Sequence, residues 1–112
     1  MKEQFMKNLK IATAQFENKS GDKAYNLSVI KKLTAQAAQE GADVIAFHEC
    51  SVTGYTFARH LDKPQMLELA ELIPDGPSLH VLTAYAHEFN IVILAGLFEK
   101  DADENLFKPT FA

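Results

Sequence analysis

Cysteine is scarce in this sequence of 112 residues: Cys50 is the only one, so no disulfide can form within the chain. Small secreted domains commonly depend on several disulfides, whereas cytosolic proteins keep their thiols reduced. A secretory signal is not indicated either, because residues 1–8 are charged and polar apart from Phe5 and Met6. We therefore expect a cytoplasmic protein.

Long apolar runs, a basic surface and phosphate-binding glycine motifs are also missing. The longest apolar run has about eight residues, far fewer than the ~20 that a membrane-spanning helix needs. The net charge is −4 with acids and bases interspersed, which leaves no basic stripe for a nucleic-acid backbone. The glycines form neither G-x-G-x-x-G nor G-x(4)-G-K. We expect no membrane or nucleic-acid partner and no cofactor.

The composition is typical of a soluble globular chain, since 47% of the residues are apolar and 23% charged. The order of strand and helix patterns along the chain predicts an α/β fold. Residues 9–16 alternate and predict a first strand, and Asp22 can cap a helix that begins after it. Gly41 ends that helix, and the apolar run 44–47 predicts a second strand. This order is a βαβ unit, which favours a parallel pair. The apolar face of the helix comprises Leu27, Ile30, Leu33, Ala37 and Ala38.

The second half of the chain predicts two further helices and two strands. Residues 56–63 are polar and predict a loop, after which Pro64 opens a short helix that reaches Leu72. A turn at 74–78 precedes a helix that ends at Asn90 and has a core face formed by Leu79, Leu82, Ala86 and Phe89. Residues 91–98 predict a third strand, apolar on both faces, and 106–112 the start of a fourth.

The two most apolar strands, 44–47 and 91–98, require cover on both faces, yet the sequence predicts only two substantial helices. We therefore expect the sequence to be the N-terminal portion of a larger domain, or a chain that a partner covers.

The motifs along the chain have a recognisable order. Glu49 follows a buried strand and precedes Gly54-Tyr55, which gives an E-x(4)-G-Y element. Ala14-Gln15 end the first strand, Asn26-Leu27 lie in the helix, and Ile91 begins an apolar run that reaches a glycine. In this order the motifs resemble the opening of the carbon–nitrogen hydrolase, or nitrilase, superfamily.

The resemblance implies a fold and an assembly. The family's fold is an α-β-β-α sandwich that commonly dimerises, so we expect residues 9–112 to form the N-terminal part of such a domain. Residues 1–8 are then an N-terminal extension, and a homo-oligomer is expected. The substrate in the full-length protein is expected to be a small nitrile, amide or carbamoyl compound.

The resemblance also implies a mechanism that uses a Glu, a Lys and a Cys. Glu49 matches the general base, whereas the lysine and the nucleophilic cysteine of the family lie beyond Ala112. Lys108 comes too early for the lysine. Cys50 is excluded as the nucleophile because successive side chains of an extended segment point to opposite sides. We therefore expect this chain alone to be inactive.

Each candidate residue also has a plainer interpretation. Glu49 could instead cap the following turn or pair with a distant lysine. Tyr55 is a candidate substrate-binding residue, or an aromatic anchor of its loop. Phe57 and Arg59 could reach the pocket, although a solvated loop arginine is the commoner arrangement.

The histidines do not predict a metal site. His48 and Cys50 are zinc-ligand types at a two-residue spacing, and His60 lies near them in sequence, but no second cysteine or close histidine pair completes a set. His48 and Cys50 are instead interpreted as structural residues, a packed histidine and a small buried thiol. His80 and His87 lie two turns apart on one helix and are expected at the surface.

Two other functions compete with the hydrolase. A receiver-type signalling domain holds magnesium with strand-end acids, but after the first strand this sequence offers Glu17 alone where that site needs an acidic pair. A non-catalytic interaction module that associates through an exposed sheet edge is the other alternative.

Overall fold

The computed structural model describes residues 8–54, 60–107 and 110–111. It contains three helices among short strands, which confirms the α/β prediction. In chain order the elements are β1 (Ile11–Ala14), α1 (Lys23–Gln39), β2 (Val44–Phe47), α2 (Lys63–Leu69), β3 (Glu71–Leu72), α3 (Pro77–Phe89), β4 (Val92–Leu94), β5 (Gly96–Leu97), β6 (Glu99–Lys100) and β7 (Thr110–Phe111).

A parallel sheet in the order β1-β2-β4 forms the centre of the described structure. Val44 on the central strand pairs with Ile11 on one side and Val92 on the other. The predicted parallel βαβ unit is therefore confirmed, with α1 connecting β1 to β2. Because β2 has a neighbour on both sides, its carboxyl end lies in the middle of the sheet edge.

The two faces of this sheet differ in cover. One face packs into the main core beneath α1 and α3, with Ile45 1% and Phe47 4% exposed. On the other face, Ile11 is 59%, Val92 55% and Leu94 41% exposed. The described residues thus cover one face of the predicted buried strands and leave the other exposed; this second face is called the open face below.

The predicted helix boundaries at capping residues are confirmed. The side chain of Asp22 accepts a hydrogen bond from the backbone N–H of Tyr25 at 3.0 Å, which satisfies a free donor at the start of α1. Gly41 follows α1 with φ +85°, and Asn90 ends α3 with φ 49°. None of the described helices is long and apolar enough to cross a bilayer.

Three predicted elements need correction. The first strand occupies Ile11–Ala14 rather than all of 9–16. The short helix α2 ends at Leu69, and Leu72 lies exposed in β3. The predicted strand 91–98 is divided: β4 pairs with β2, whereas β5 pairs antiparallel with β7 in another sheet. The predicted fourth strand is confirmed where it is described, by β7 and a bridge from Leu106 to Lys100.

The division of the third strand has a local cause. Leu94 pairs with Ala46, one residue before β2 ends, so the chain after Leu94 soon has no parallel partner to follow. The backbone of Gly96 instead contacts the turn that follows β2, where its carbonyl accepts a 3.1 Å hydrogen bond from Val52. This contact redirects the strand toward the second sheet.

An ion pair between buried Glu71 and partly exposed Lys23 joins the starts of two helices. Glu71 is 4% exposed, and its carboxylate accepts from Lys23 Nζ at 2.7 Å and from the backbone N–H of Ser78 at 2.7 Å. The hydroxyl of Ser78 donates to the same carboxylate. Because each oxygen of the buried group is paired, the pair fixes the first turn of α1 against the first turn of α3.

Candidate functional site

Glu49 lies two residues after β2, in a turn at the carboxyl edge of the central strand. Carboxyl ends of parallel strands are where α/β proteins commonly place catalytic groups. A working general base is commonly partly buried, but the side chain of Glu49 is exposed in this structure. An exposed carboxylate at such an edge is accessible to a substrate or to a side chain that lies outside the described residues.

The turn that carries Glu49 is tightly formed. Residues 49–53 form consecutive turns, and the N–H groups of Thr53 and Gly54 both donate to the carbonyl of Cys50, at 3.2 and 2.8 Å. Cys50 itself has φ 53°, in the left-handed region that ordinary residues seldom adopt. The backbone therefore reverses direction immediately after Glu49.

Gly96 lets a neighbouring strand approach this turn closely. A Cβ at that position would lie 2.4 Å from the backbone nitrogen of Cys50 and 3.3 Å from the carbonyl carbon of Glu49. The N–H of Gly96 donates to the hydroxyl of Ser51 at 3.2 Å. Only a residue without a side chain fits here, so Gly96 supports the turn through its backbone alone.

A buried side chain and a backbone contact hold the turn from the side of α1. Asn26 is fully buried; its amide donates to the carbonyls of Val52, at 2.8 Å, and Lys19, at 2.9 Å. The backbone N–H of Gly21 donates to the carbonyl of Thr53 at 2.9 Å. Sequence analysis identified Asn26 only as part of a family motif, and nothing in its spacing predicted these long-range contacts.

A further contact involves the residue immediately before Glu49. His48 Nε2 lies 2.7 Å from the amide oxygen of Asn18, whose nitrogen donates to the carbonyl of Ser51. The ring of Phe16 packs edge-on against His48, with centroids 5.1 Å apart. Burial lowers the pKa of His48, and a weaker backbone interaction with Ala14 opposes that shift.

Cys50 lies beside Glu49 but points into the protein. It is fully buried and packs with Ala70 and Phe98 in a second, smaller cluster. Burial, and then the negative charge of Glu49, raise the pKa of the Cys50 thiol to about 12. The thiol is therefore kept protonated at neutral pH. The extended geometry assumed in the sequence argument is wrong, because these two residues lie in a turn.

The histidines of the described ranges stand apart from one another. Within residues 8–54, 60–107 and 110–111, no group of three or more His, Cys, Asp or Glu could hold a metal ion. His60 is exposed. His80 and His87 are also exposed on α3, as predicted.

Four residues considered in the sequence argument lie outside the described residues. They are Tyr55, the candidate substrate-binding residue, together with Phe57, Arg59 and Lys108. Their roles stay predictions.

A family model described as carbon–nitrogen hydrolase matches residues 10–109. A nitrilase from Pyrococcus abyssi is 30% identical over 95 residues, which cover 85% of this chain and 35% of the relative. A citrullinase from Francisella tularensis is 30% identical over 98 residues, which cover 88% of this chain and 33% of the relative. The chain spans about a third of the length of these relatives.

A solved structure has a fold similar to that of this chain. An N-terminal amidase crystallised with an Asn-Glu-Ala peptide has a TM-score of 0.74 and 19% identity, covering 93% of this chain and 25% of that chain. This likeness confirms the predicted nitrilase-like α/β fold. With the family model matching residues 10–109 and the motif glutamate at the end of the central strand, this chain belongs to the carbon–nitrogen hydrolase family.

Proposed function

We propose that this chain supplies Glu49 as the general base of a hydrolase that cleaves nitrile or non-peptide amide carbon–nitrogen bonds. The placement of Glu49 carries the proposal. Its exposed side chain stands at the carboxyl edge of the central strand, on a turn that backbone and side-chain hydrogen bonds hold from two sides. A carboxylate fixed in this way can accept a proton from a nucleophile positioned next to it.

In the proposed reaction, Glu49 takes the proton of a cysteine thiol, and the thiolate attacks the nitrile or amide carbon of the substrate. A lysine ammonium stabilises the negative charge that develops on the tetrahedral species. With an amide, the carbon–nitrogen bond breaks, ammonia or an amine departs with the proton that Glu49 took from the thiol, and a thioester is left on the cysteine. Water, deprotonated by Glu49, then hydrolyses the thioester and releases the acid and the thiol.

The nucleophile and the lysine are proposed to come from residues outside this sequence. Cys50 is the only cysteine, it is fully buried, and its pKa is raised to about 12, which opposes thiolate formation. Lys108 precedes the position at which the resemblance places the lysine. A chain that spans about a third of its relatives is compatible with a role as the N-terminal portion of the enzyme.

The substrate is proposed to be a small molecule that carries a nitrile, an amide or an N-carbamoyl group. The relatives named nitrilase and citrullinase support this range, and none of its members is favoured over another. We further propose a cytoplasmic homo-oligomer. The apolar open face of the sheet supports association, and a single buried thiol suits a reducing compartment.

The proposal is tested on the product of the encoding gene, read through any codons that follow Ala112. These codons should specify a further strand, a lysine-bearing turn and a cysteine at another strand end. The expressed protein should release ammonia from at least one of an aliphatic nitrile, a primary amide and an N-carbamoyl amine.

The decisive variant is Glu49→Gln, which we expect to lower kcat by roughly 10²–10⁴-fold, because the base is lost while the exposed side chain keeps its shape. Glu88→Gln, which changes another exposed glutamate on α3, should retain the wild-type rate. Equal rates for Glu49→Gln and the wild-type protein would contradict the proposed role.

A further inference from the structure

The turn that presents Glu49 is held at both of its ends by one side chain. Asn18 lies in the segment after β1 and contacts His48, the residue before Glu49, and Ser51, two residues after it. No sequence motif singled out Asn18. Its contacts span 30 and 33 positions of the chain, so only the folded structure brings them together.

The chemistry of the contacts fixes how the amide of Asn18 is oriented. A backbone carbonyl can only accept, so the side of Asn18 that faces the Ser51 carbonyl has to be the donating nitrogen. The amide oxygen then faces His48 Nε2 at 2.7 Å and has to accept from it. His48 is thereby assigned the neutral tautomer that carries its proton on Nε2.

The remaining ring nitrogen fits this assignment. Among the described residues, Nδ1 of His48 is buried and has no partner at hydrogen-bonding distance, and the backbone interaction with Ala14 that favours a proton on the ring is weaker than the effect of burial. Burial lowers the pKa of His48, which favours the neutral ring at neutral pH. The edge-on contact with Phe16 also suits an uncharged ring held in one orientation.

We propose that Asn18 is a positioning residue for Glu49, which fixes the turn by accepting from neutral His48 and donating to the Ser51 carbonyl. The inference rests on the proposed role of Glu49. Gly96 also holds the turn at Ser51, and Asn26 holds it beyond Ser51, but the two contacts made by Asn18 lie on either side of the Glu49-Cys50 pair. Loss of these contacts lets the carboxylate shift relative to the thiol that it has to deprotonate.

Kinetics of the hydrolase-active gene product provide the first test. Asn18→Ala should lower kcat by roughly 10- to 100-fold, since displacement of a catalytic group by about 1 Å has an effect of that size. KM should change by less than about threefold, because substrate binding is not altered. Asn105→Ala, which removes an exposed asparagine paired with Asp101, is the matched control and should leave kcat unchanged.

Variants of His48 test whether the two side chains act as a unit. His48→Phe removes the donor and should lower kcat, whereas His48→Gln offers an N–H to the Asn18 oxygen and should restore part of it. The double variant Asn18→Ala with His48→Phe should be no slower than Asn18→Ala alone, because contacts in one network are not additive. Independent, multiplicative losses would overturn the inference.

A spectroscopic test requires neither catalytic activity nor a folded Asn18 variant. Nitrogen-15 NMR of the wild-type chain, with the His48 signal assigned by its loss in His48→Phe, should show Nε2 protonated and Nδ1 bare at neutral pH. A ring protonated on Nδ1 would overturn the orientation of Asn18 and the inference with it.

The kinetic results separate this inference from the proposed function. If Glu49→Gln keeps full activity, the proposed function fails and the positioning role fails with it. If Glu49→Gln is inactive while Asn18→Ala has wild-type kcat, or loses activity only through KM, the inference about Asn18 alone is overturned. A lower kcat in Asn18→Ala, together with an unchanged kcat in Asn105→Ala, supports the positioning role of Asn18.

Discussion

Glu49 and Cys50 are adjacent in sequence but lie in opposite environments. Glu49 is exposed at the sheet edge, whereas Cys50 is fully buried and has its pKa raised to about 12. The sequence predicted that strand alternation turns the two side chains apart, whereas the structure places both residues in a turn. The cause of their opposite environments is a left-handed turn residue and not strand alternation, and no local signal predicts a φ of 53° at a cysteine.

The buried thiol predicts a specific pH dependence of stability. The pKa of Cys50 is raised from 9.0 to about 12 in the folded state, so between these values the unfolded chain loses its proton and the folded chain keeps it. The protonated thiol therefore makes its full contribution to the free energy of unfolding below about pH 9, and this contribution is lost as the pH rises toward 12. We expect the urea midpoint of the wild-type chain to fall over this range more steeply than that of Cys50→Ala.

The Cys50→Ala substitution should itself lower the free energy of unfolding by only about 1 kcal/mol at pH 7, as is usual when a small buried side chain is truncated. In the hydrolase-active gene product the same substitution should leave ammonia release intact. Parallel pH profiles for the two chains would contradict the raised pKa.

At the scale of elements, the positions of helices and strands follow from the sequence where local signals are strong. Asp22 and Asn90 mark helix ends through their capping conformations, and the run 44–47 forms a strand as predicted. The division of 91–98 could not be predicted, because the run stays apolar throughout. It depends on where β2 ends and on the contact between Gly96 and the turn at Cys50, both of which are tertiary.

That contact makes Gly96→Ala an informative substitution. The new Cβ would lie 2.4 Å from a backbone nitrogen that has no flexible end to move, so we expect a loss of about 3 kcal/mol in the free energy of unfolding. Gly41→Ala is the control: its Cβ would meet only Lys10 Nζ, at 4.0 Å, and its positive φ should cost about 1 kcal/mol. Urea denaturation measures both, and equal losses would argue against a close approach at Gly96.

At the scale of the whole molecule, the chain has a core on one side of its sheet and an apolar surface on the other. The sequence predicted that 44–47 and 91–98 need more cover than this chain provides, and the exposure of Val92 and Leu94 agrees with that. What covers the open face could not be derived from these 112 residues, because the covering atoms are not among those described.

An uncovered apolar face predicts self-association of the isolated chain. Sedimentation of the purified chain should show dimers or larger species, and Val92→Glu together with Leu94→Glu should shift it toward monomer by placing charges on the open face. Thr83→Glu adds a charge to the exposed side of α3 and should leave the association unchanged. A wild-type chain that stays monomeric at every concentration would reject the prediction.

We proposed above that Glu49 is the base of a carbon–nitrogen hydrolase and that the nucleophile comes from residues outside this sequence. The most direct test of this proposal is ammonia release from a nitrile, an amide and an N-carbamoyl compound by the purified 112-residue chain, beside its Glu49→Gln variant. We expect no release above the blank from either chain. Measurable release by the wild-type chain that Glu49→Gln abolishes would contradict it.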